Sequence, residues 1–160
     1  MNEQQRLYLV QSRTDWRLFG LLKGESVCHR LHYLQMCTEK LAKAYFWKSR
    51  GAENFGHAAF TKFLRTIATN RRVAKHLGFD KTSHFQEWIN EISDLVYEVE
   101  RLAPDLARGG PNPEYPWPRE FPCHAPVEHS FSVWGRLDAQ NGRNLLWMLN
   151  ELIAHFDAWF

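Results

Sequence analysis

The sequence is poor in cysteine and has no long apolar segment. Its three cysteines are odd in number and far apart, which is not the pattern of a disulfide framework. They are Cys28, Cys37 and Cys123. No apolar run has the length of a membrane span or of a signal-peptide core. These absences predict a cytoplasmic protein that does not associate with membranes.

Motifs for several kinds of chemistry are also absent. The chain has no Gly-x-x-x-x-Gly-Lys-Ser/Thr loop, no strand followed by Gly-x-Gly-x-x-Gly and no Gly-x-Ser-x-Gly elbow. It has none of the Glu-x-x-His motifs that helical di-iron proteins require. Cys28, His29 and His32 place donors on one helix, but no further pair with zinc-ligand spacing completes a site. We therefore expect neither a metal nor a cofactor.

Charge is distributed unevenly along the chain. The net charge of +2 gives no general argument for nucleic acid, because domains that bind phosphate by charge alone are far more basic. Locally, residues 62–81 hold six basic side chains against the single acid Asp80. The six are Lys62, Arg65, Arg71, Arg72, Lys75 and Lys81. The segment that follows is dominated by the acids Glu87, Glu91, Asp94, Glu98, Glu100 and Asp105.

Two interpretations of the basic segment stay open. If it is exposed, it is a surface for a phosphate backbone or for an acidic partner. Alternatively, it pairs with the acidic face of the next helix or is an ordinary solvated surface, since weak surface ion pairs are common. Neither interpretation implies recognition of a nucleotide sequence.

Residues 26–50 are predicted to form the helix around which the fold is organised. Apolar side chains recur there at helical spacing and share one face. They are Val27, Leu31, Leu34, Leu41 and Tyr45. A second apolar row widens this arc and consists of Tyr33, Cys37, Ala44 and Trp47. Such a wide arc predicts contact with more than one neighbouring helix, and Ser26 and Gly51 mark the two ends.

The rest of the chain is predicted to be helical apart from one long loop. An early helix covers residues 12–23, with Ser12 and Asp15 as a capping box, or begins earlier through Leu7 and Leu9. Thr82 or Ser83 caps the most regular amphipathic helix, 82–102. The other predicted helical segments are 57–68, 71–77, 103–108, 131–137 and 141–160. No segment alternates like a strand, so we predict one all-α domain, 1–160, in which the 26–50 helix packs on 82–102 and 141–160.

A loop spanning about residues 109–130 is unusual in composition. Six of the seven prolines lie between Pro111 and Pro126, mixed with Tyr115, Trp117 and Phe121. This density of proline excludes a regular helix and favours extended or polyproline II backbone. A loop of this length is either functional or a strap fixed by its own aromatic side chains. The strap is the favoured interpretation, because the aromatic residues would otherwise be exposed.

The middle of the central helix resembles a pattern found in the HEPN superfamily, a group of helical domains associated with RNA and nucleotides. Residues 35–44 read Gln-Met-Cys-Thr-Glu-Lys-Leu-Ala-Lys-Ala, similar to the family's glutamine, small residues, Glu-Lys and Leu-x-Lys-Ala. The order of the helices is compatible with the family's fold. The resemblance implies a HEPN-like bundle of four to six helices, a homodimer, and association with RNA, a nucleotide or a protein partner in a bacterial stress or conflict system.

HEPN ribonucleases are metal-independent and use an Arg-x(4–6)-His motif. The histidine moves the proton of the ribose 2′-hydroxyl, and the arginine holds the phosphate charge. The pairs with this spacing are Arg50 with His57, Arg71 with His76, and Arg119 with His124. Arg71 and His76 are the one pair predicted on a helical turn, so they are the candidate catalytic residues.

The final helix, however, carries His155 without an arginine at the required distance before it. We therefore expect a non-catalytic binding or assembly module, with a metal-independent ribonuclease as the alternative. A protein-interaction subunit of a larger complex is a third hypothesis, in which some tryptophans are interface anchors.

Overall fold

The computed structural model describes residues 1–47 and 56–160, and these residues form helices and turns without a strand. The helices are α1 (Glu3–Leu21), α2 (Val27–Phe46), α3 (Ala59–Ile67), α4 (Arg71–His76), α5 (Thr82–Glu100), α6 (Pro104–Ala107), α7 (Ser132–Asp138) and α8 (Gln140–Trp159). A 3-10 turn at Pro126–Glu128 precedes α7. The predicted all-α class is confirmed, but the described residues form eight helices rather than four to six, and three of the eight have seven residues or fewer. None of the described helices has the length and apolar character needed to cross a membrane.

The first helix begins well before residue 12. Its capping box is formed by Asn2, whose side chain accepts from the backbone N–H of Gln5, and by the Gln5 side chain, which accepts from the N–H of Asn2. The predicted capping box of Ser12 and Asp15 is therefore wrong. Both residues lie in the middle of α1 and are buried.

Ser12 and Asp15 are buried because they face α2, which runs antiparallel to α1. The Ser12 hydroxyl donates to the backbone carbonyl of Cys37 at 2.9 Å. The carboxylate of Asp15 pairs with Lys40 at 2.6 Å. These polar contacts lie between apolar contacts and fix the register of the two helices, since a buried polar group needs its partner.

The central position of α2 is confirmed. Leu31, Leu34, Cys37 and Leu41 are fully buried on it, and α2 contacts α1, α3 and α5. The expected packing on the last helix is corrected, because α8 packs mainly against α5 and α7. At the end of α2, the ring of Tyr45 lies 5.0 Å from that of Phe160. The principal neighbour of α2 is α1, which the apolar pattern of residues 26–50 did not identify.

The start of α3 is held by a carboxylate from another helix. The side chain of Glu100, at the end of α5, accepts from the backbone N–H groups of Phe60 and Thr61 and from the Thr61 hydroxyl, at 2.8, 3.0 and 2.7 Å. A carboxylate at this position satisfies N–H groups that have no partner within the helix. This carboxylate sets the direction of α3. His57 lies outside the helix, two residues before Ala59.

The cap predicted for α5 is not formed. Lys81 is the N-cap residue, and neither Thr82 nor Ser83 caps the helix, because both lie inside its first turn. The apolar face of α5 is nevertheless as predicted, with Phe85, Ile89, Ile92, Leu95, Val96 and Val99 all buried.

The proline-rich loop is a strap that lines one pocket with the start of α2 and another with the end of α5 and α7. Trp117 is buried, 5.0 Å from the ring of His129 and 6.0 Å from that of Phe131. The Asn112 side chain accepts from the backbone N–H groups of Glu114 and Tyr115 and so closes a turn. Not all of its aromatics are covered, however, since Tyr115 is 60% and Phe121 is 94% exposed.

Candidate functional sites

The basic residues predicted from the sequence are exposed on α3, on α4 and at the residue before α5. We call them the basic surface: Lys62, Arg65, Arg71, Arg72, Lys75 and Lys81. On α3, the opposite face is buried through Phe60, Phe63, Leu64 and Ile67. This amphipathic pattern places both basic residues of α3 in solvent.

The α4 helix is placed by two contacts. The Asn70 side chain accepts from the N–H groups of Arg72 and Val73 and caps its start. The Arg72 guanidinium donates to the carbonyl of Ala158 in the last turn of α8 at 3.2 Å, where the helix dipole favours a cation. The position of α4 is thereby tied to the C-terminal helix.

The basic surface is not neutralised by the acidic face of α5. No described carboxylate forms an ion pair with Arg65, Arg71, Arg72, Lys75 or Lys81. On α5, Glu98 pairs instead with Arg136 of α7. The sequence left open whether the basic segment pairs with the acidic face of the next helix. In the described residues, these ion pairs are not formed.

Arg71 and His76 lie on different sides of α4. Five residues of helix correspond to a rotation of about 500°, so the two positions differ by about 140° around the axis. Arg71 lines a small pocket of about 170 Å³ together with Asp80. His76 stacks on Trp159 of α8, with ring centroids 5.2 Å apart. The two candidate catalytic side chains thus have separate surroundings.

A second site, which was not predicted from the sequence, lies between α2 and His57, two residues before the start of α3. The Glu39 carboxylate is buried and has three side-chain partners. Gln35 donates to it at 2.9 Å, Lys43 forms an ion pair with it, and Nδ1 of His57 lies 2.7 Å away. We call these four residues, with Asp105, the Glu39 cluster.

The partners of Glu39 keep it charged. Burial raises the pKa of this carboxyl group, but hydrogen bonds from Lys43, His57 and Gln35 outweigh burial and hold the pKa below its ordinary value of 4.5. The sequence contained a signal for this cluster, since Gln35, Glu39 and Lys43 are polar residues spaced four apart within an otherwise apolar arc. Their partner His57 is distant in the sequence and could not be identified from that pattern.

His57 connects the buried cluster to the surface. Its Nε2 atom lies 3.2 Å from the carboxylate of Asp105, which is largely exposed. Asp105 also lines a groove of about 700 Å³ together with Arg108, Arg119 and Phe121. His57 belongs to the first predicted Arg-His pair, whose Arg50 lies outside the described residues.

The third predicted pair lies in the hairpin of the strap. Trp117 and His124 exchange backbone hydrogen bonds across an antiparallel bridge. Arg119 is near the tip of this hairpin, and its side chain and that of His124 are exposed. Arg119 lines the groove beside Asp105, whereas His124 is not among the residues that line it.

In residues 1–47 and 56–160, no three histidine, cysteine or acidic side chains come together in a way that could hold a metal ion. Cys28 and Cys37 are both buried. Burial raises the pKa of the Cys37 thiol to about 12, and its contact with the Ser12 hydroxyl opposes this only in part.

The fold and these sites define an α-helical bundle with an exposed basic surface and a buried carboxylate cluster. No protein-family model, no curated protein and no solved structure matches the chain. The resemblance to the HEPN superfamily therefore stays a prediction from residues 35–44. Of these residues, Gln35, Glu39 and Lys43 are the ones that form the buried cluster.

Proposed function

We propose that the chain is a non-catalytic, HEPN-like binding module whose basic surface binds the phosphate backbone of RNA. The observation that carries the proposal is the exposure of Arg65, Arg71, Lys75 and Lys81 without a described carboxylate partner. Exposed cations without such partners raise the local concentration of a polyanion and gain free energy when counterions are released from it.

The chemistry of this surface favours backbone contacts over base recognition. Arginine and lysine side chains bind phosphate, whereas reading single-stranded bases requires exposed aromatic rings or groups that match base edges. On α4, the aromatic neighbour of His76 is Trp159, which is only 5% exposed. Binding should therefore depend on salt and only weakly on nucleotide sequence.

Fluorescence anisotropy with a labelled single-stranded RNA tests the proposal. We expect the variant Arg65→Glu/Lys75→Glu to bind about tenfold more weakly or worse, because it replaces two phosphate contacts with repulsion. The matched control is Arg17→Glu/Lys23→Glu, which changes the charge equally at two exposed residues of the α1 region. If both variants lost the same RNA affinity, the loss would follow from net charge alone, and this would contradict a localised binding surface.

A homodimer is part of the same proposal and comes from the family resemblance. Light scattering coupled to size-exclusion chromatography would measure the mass of the particle against the 18.9 kDa chain. A mass of two chains supports the dimer. A mass of one chain across the concentration range used for RNA binding would leave a monomeric module and remove the dimer from the proposal.

A metal-independent ribonuclease is the second candidate function. Its best candidate for a catalytic histidine is His57, because the surroundings of His57 suit this role better than those of Arg71 and His76. A buried carboxylate that forms a hydrogen bond with Nδ1 of His57 fixes the orientation of the ring, as a general acid or base requires. The groove beside Asp105 holds Arg108 and Arg119, whose guanidinium groups are suited to a phosphate.

RNA cleavage in the presence of a chelator separates the two candidates. If the protein is a ribonuclease of this kind, His57→Ala abolishes cleavage and His76→Ala does not. If His76→Ala alone abolishes it, the catalytic pair predicted from the sequence is supported instead. Absence of cleavage by the wild-type protein, together with salt-dependent RNA binding, supports the non-catalytic module.

A further inference from the structure

A pocket of about 530 Å³ lies between the start of α2 and the strap. Its polar lining consists of Glu25, His29, His32, Tyr33, Glu114 and Tyr115. Its volume is in the range of small-ligand sites in proteins. It lies at the start of α2, whereas the Glu39 cluster lies in the second half of that helix, so the two sites are separate.

Two polar side chains of this pocket, His32 and Glu114, face each other without forming a hydrogen bond. The Nδ1 atom of His32 is buried and has no hydrogen-bond partner. It lies 3.4 Å from the carboxylate of Glu114, whose side chain is only 23% exposed. No donor from the described residues forms a hydrogen bond with that carboxylate. Buried polar atoms are almost always hydrogen-bonded in proteins, so the unsatisfied Nδ1 atom of His32 beside this pocket indicates a site for a ligand.

The lining determines which ligand chemistry fits. Glu25 and Glu114 supply two carboxylates, and none of the described residues that line the pocket is a lysine or arginine. An anionic ligand would therefore meet repulsion, whereas a cation would be attracted. The rings of Tyr33 and Tyr115 add aromatic faces, on which cations bind favourably.

We propose that this pocket binds a guanidinium group, held by Glu114 and placed against the tyrosine rings. A guanidinium is a planar cation whose parallel N–H groups match the two oxygens of a carboxylate, and it stacks on aromatic faces. An ammonium ion lacks this fork and this plane. The group belongs either to a small molecule or to an arginine side chain of a peptide. The pocket is independent of RNA binding, so either proposal can fail alone.

The turn that carries Glu114 is already formed without a ligand. The Asn112 side chain accepts from the backbone N–H of Glu114 at 3.1 Å and from that of Tyr115 at 2.9 Å. Asn112 is itself buried. The carboxylate and the neighbouring ring are therefore held in place before binding, which reduces the entropy lost when a ligand is captured.

Isothermal titration calorimetry with N-acetylarginine amide and with the peptide Gly-Arg-Gly tests the site. We expect both to bind, with the better ligand showing whether the guanidinium comes from a small molecule or a peptide. Glu114→Gln keeps the shape and removes the charge, so affinity should fall about tenfold or more. The matched control Glu120→Gln changes an exposed glutamate on the strap hairpin outside the pocket and should bind like the wild type.

Other outcomes would overturn the proposal. Equal binding of Gly-Lys-Gly would contradict recognition of a guanidinium, and unchanged affinity in Glu114→Gln would place binding elsewhere. Saturable binding of Zn²⁺ without binding of either arginine probe would assign the pocket to a metal instead. No heat change with either probe in a protein whose circular dichroism is native would also refute it.

Discussion

The Glu39 carboxylate lies 2.7 Å from Nδ1 of His57, a residue 18 positions further along the chain. This contact ties the segment before α3 to the middle of α2. Glu100 then holds the first turn of α3 through three hydrogen bonds. Two buried carboxylates on different helices therefore determine where α3 and its part of the basic surface lie.

Removing the Glu39 carboxylate should destabilise the protein strongly. Glu39→Ala leaves Lys43 and His57 without their buried partner, and breaking a buried ion pair on one side costs about 3 kcal/mol. Urea denaturation followed by circular dichroism measures the loss. Glu120→Ala, at an exposed carboxylate, should leave the denaturation midpoint unchanged. An equally small effect of both substitutions would show that the cluster does not contribute to stability.

The stability provided by Glu39 should depend on pH in a defined direction. Because its pKa is lower in the folded state than its ordinary value of 4.5, the unfolded chain binds more protons in this range. The contribution is therefore complete above pH 4.5 and is lost as the pH falls through the folded-state pKa.

Comparison of the wild type with Glu39→Gln at several pH values measures this dependence. The difference in free energy of unfolding should be constant near neutral pH and should shrink as the pH falls below 4.5. A difference that stays constant down to strongly acidic pH, or that grows there, would contradict the assigned direction of the shift.

The Glu100 cap should affect both stability and α3. Glu100→Ala leaves the N–H groups of Phe60 and Thr61 without a partner, which costs about 2 kcal/mol or more. Glu91→Ala, at an exposed position of the same helix, is the control and should have little effect. Hydrogen exchange should become faster in α3 before it does in α2. Unchanged exchange in α3 would mean that the cap does not hold that helix.

The three cysteines should differ sharply in reactivity. Cys123 is exposed, whereas Cys28 and Cys37 are buried, and the pKa of Cys37 is raised to about 12. Since the thiolate is the reactive form, a thiol reagent should modify one cysteine in the native protein at pH 8 and all three after denaturation. Rapid modification of more than one native thiol would contradict the burial of Cys28 and Cys37.

The parts of the fold that follow a local rule were predicted well from the sequence. The apolar face of α5 and the buried arc of α2 follow directly from helical periodicity. The capping box of α1 was misplaced because Ser12 and Asp15 match the motif, although they face α2 inside the helix. Sequence spacing cannot distinguish a polar residue at a helix end from one bound across a helix interface.

The candidate sites also differ in how well the sequence predicts them, depending on whether their residues are neighbours in the chain. The basic surface was predicted because its residues are neighbours in the sequence and α3 is strongly amphipathic. The contacts of His57 with Glu39, and of His32 with Glu114, depend on tertiary packing and on the path of a proline-rich strap. Neither has a local signal that identifies both partners, because loop conformation is not set by a repeating pattern.

The salt dependence of RNA binding tests the central claim most directly. For a single strand, the logarithm of the binding constant falls with the logarithm of salt concentration by about 0.7 for each phosphate contact. Arg65→Glu/Lys75→Glu should therefore reduce the slope by about 1.4 relative to the wild type, while Arg17→Glu/Lys23→Glu should retain the wild-type slope. The same slope in all three proteins, or no measurable RNA binding by the wild type at low salt, would contradict an RNA-binding surface on α3 and α4.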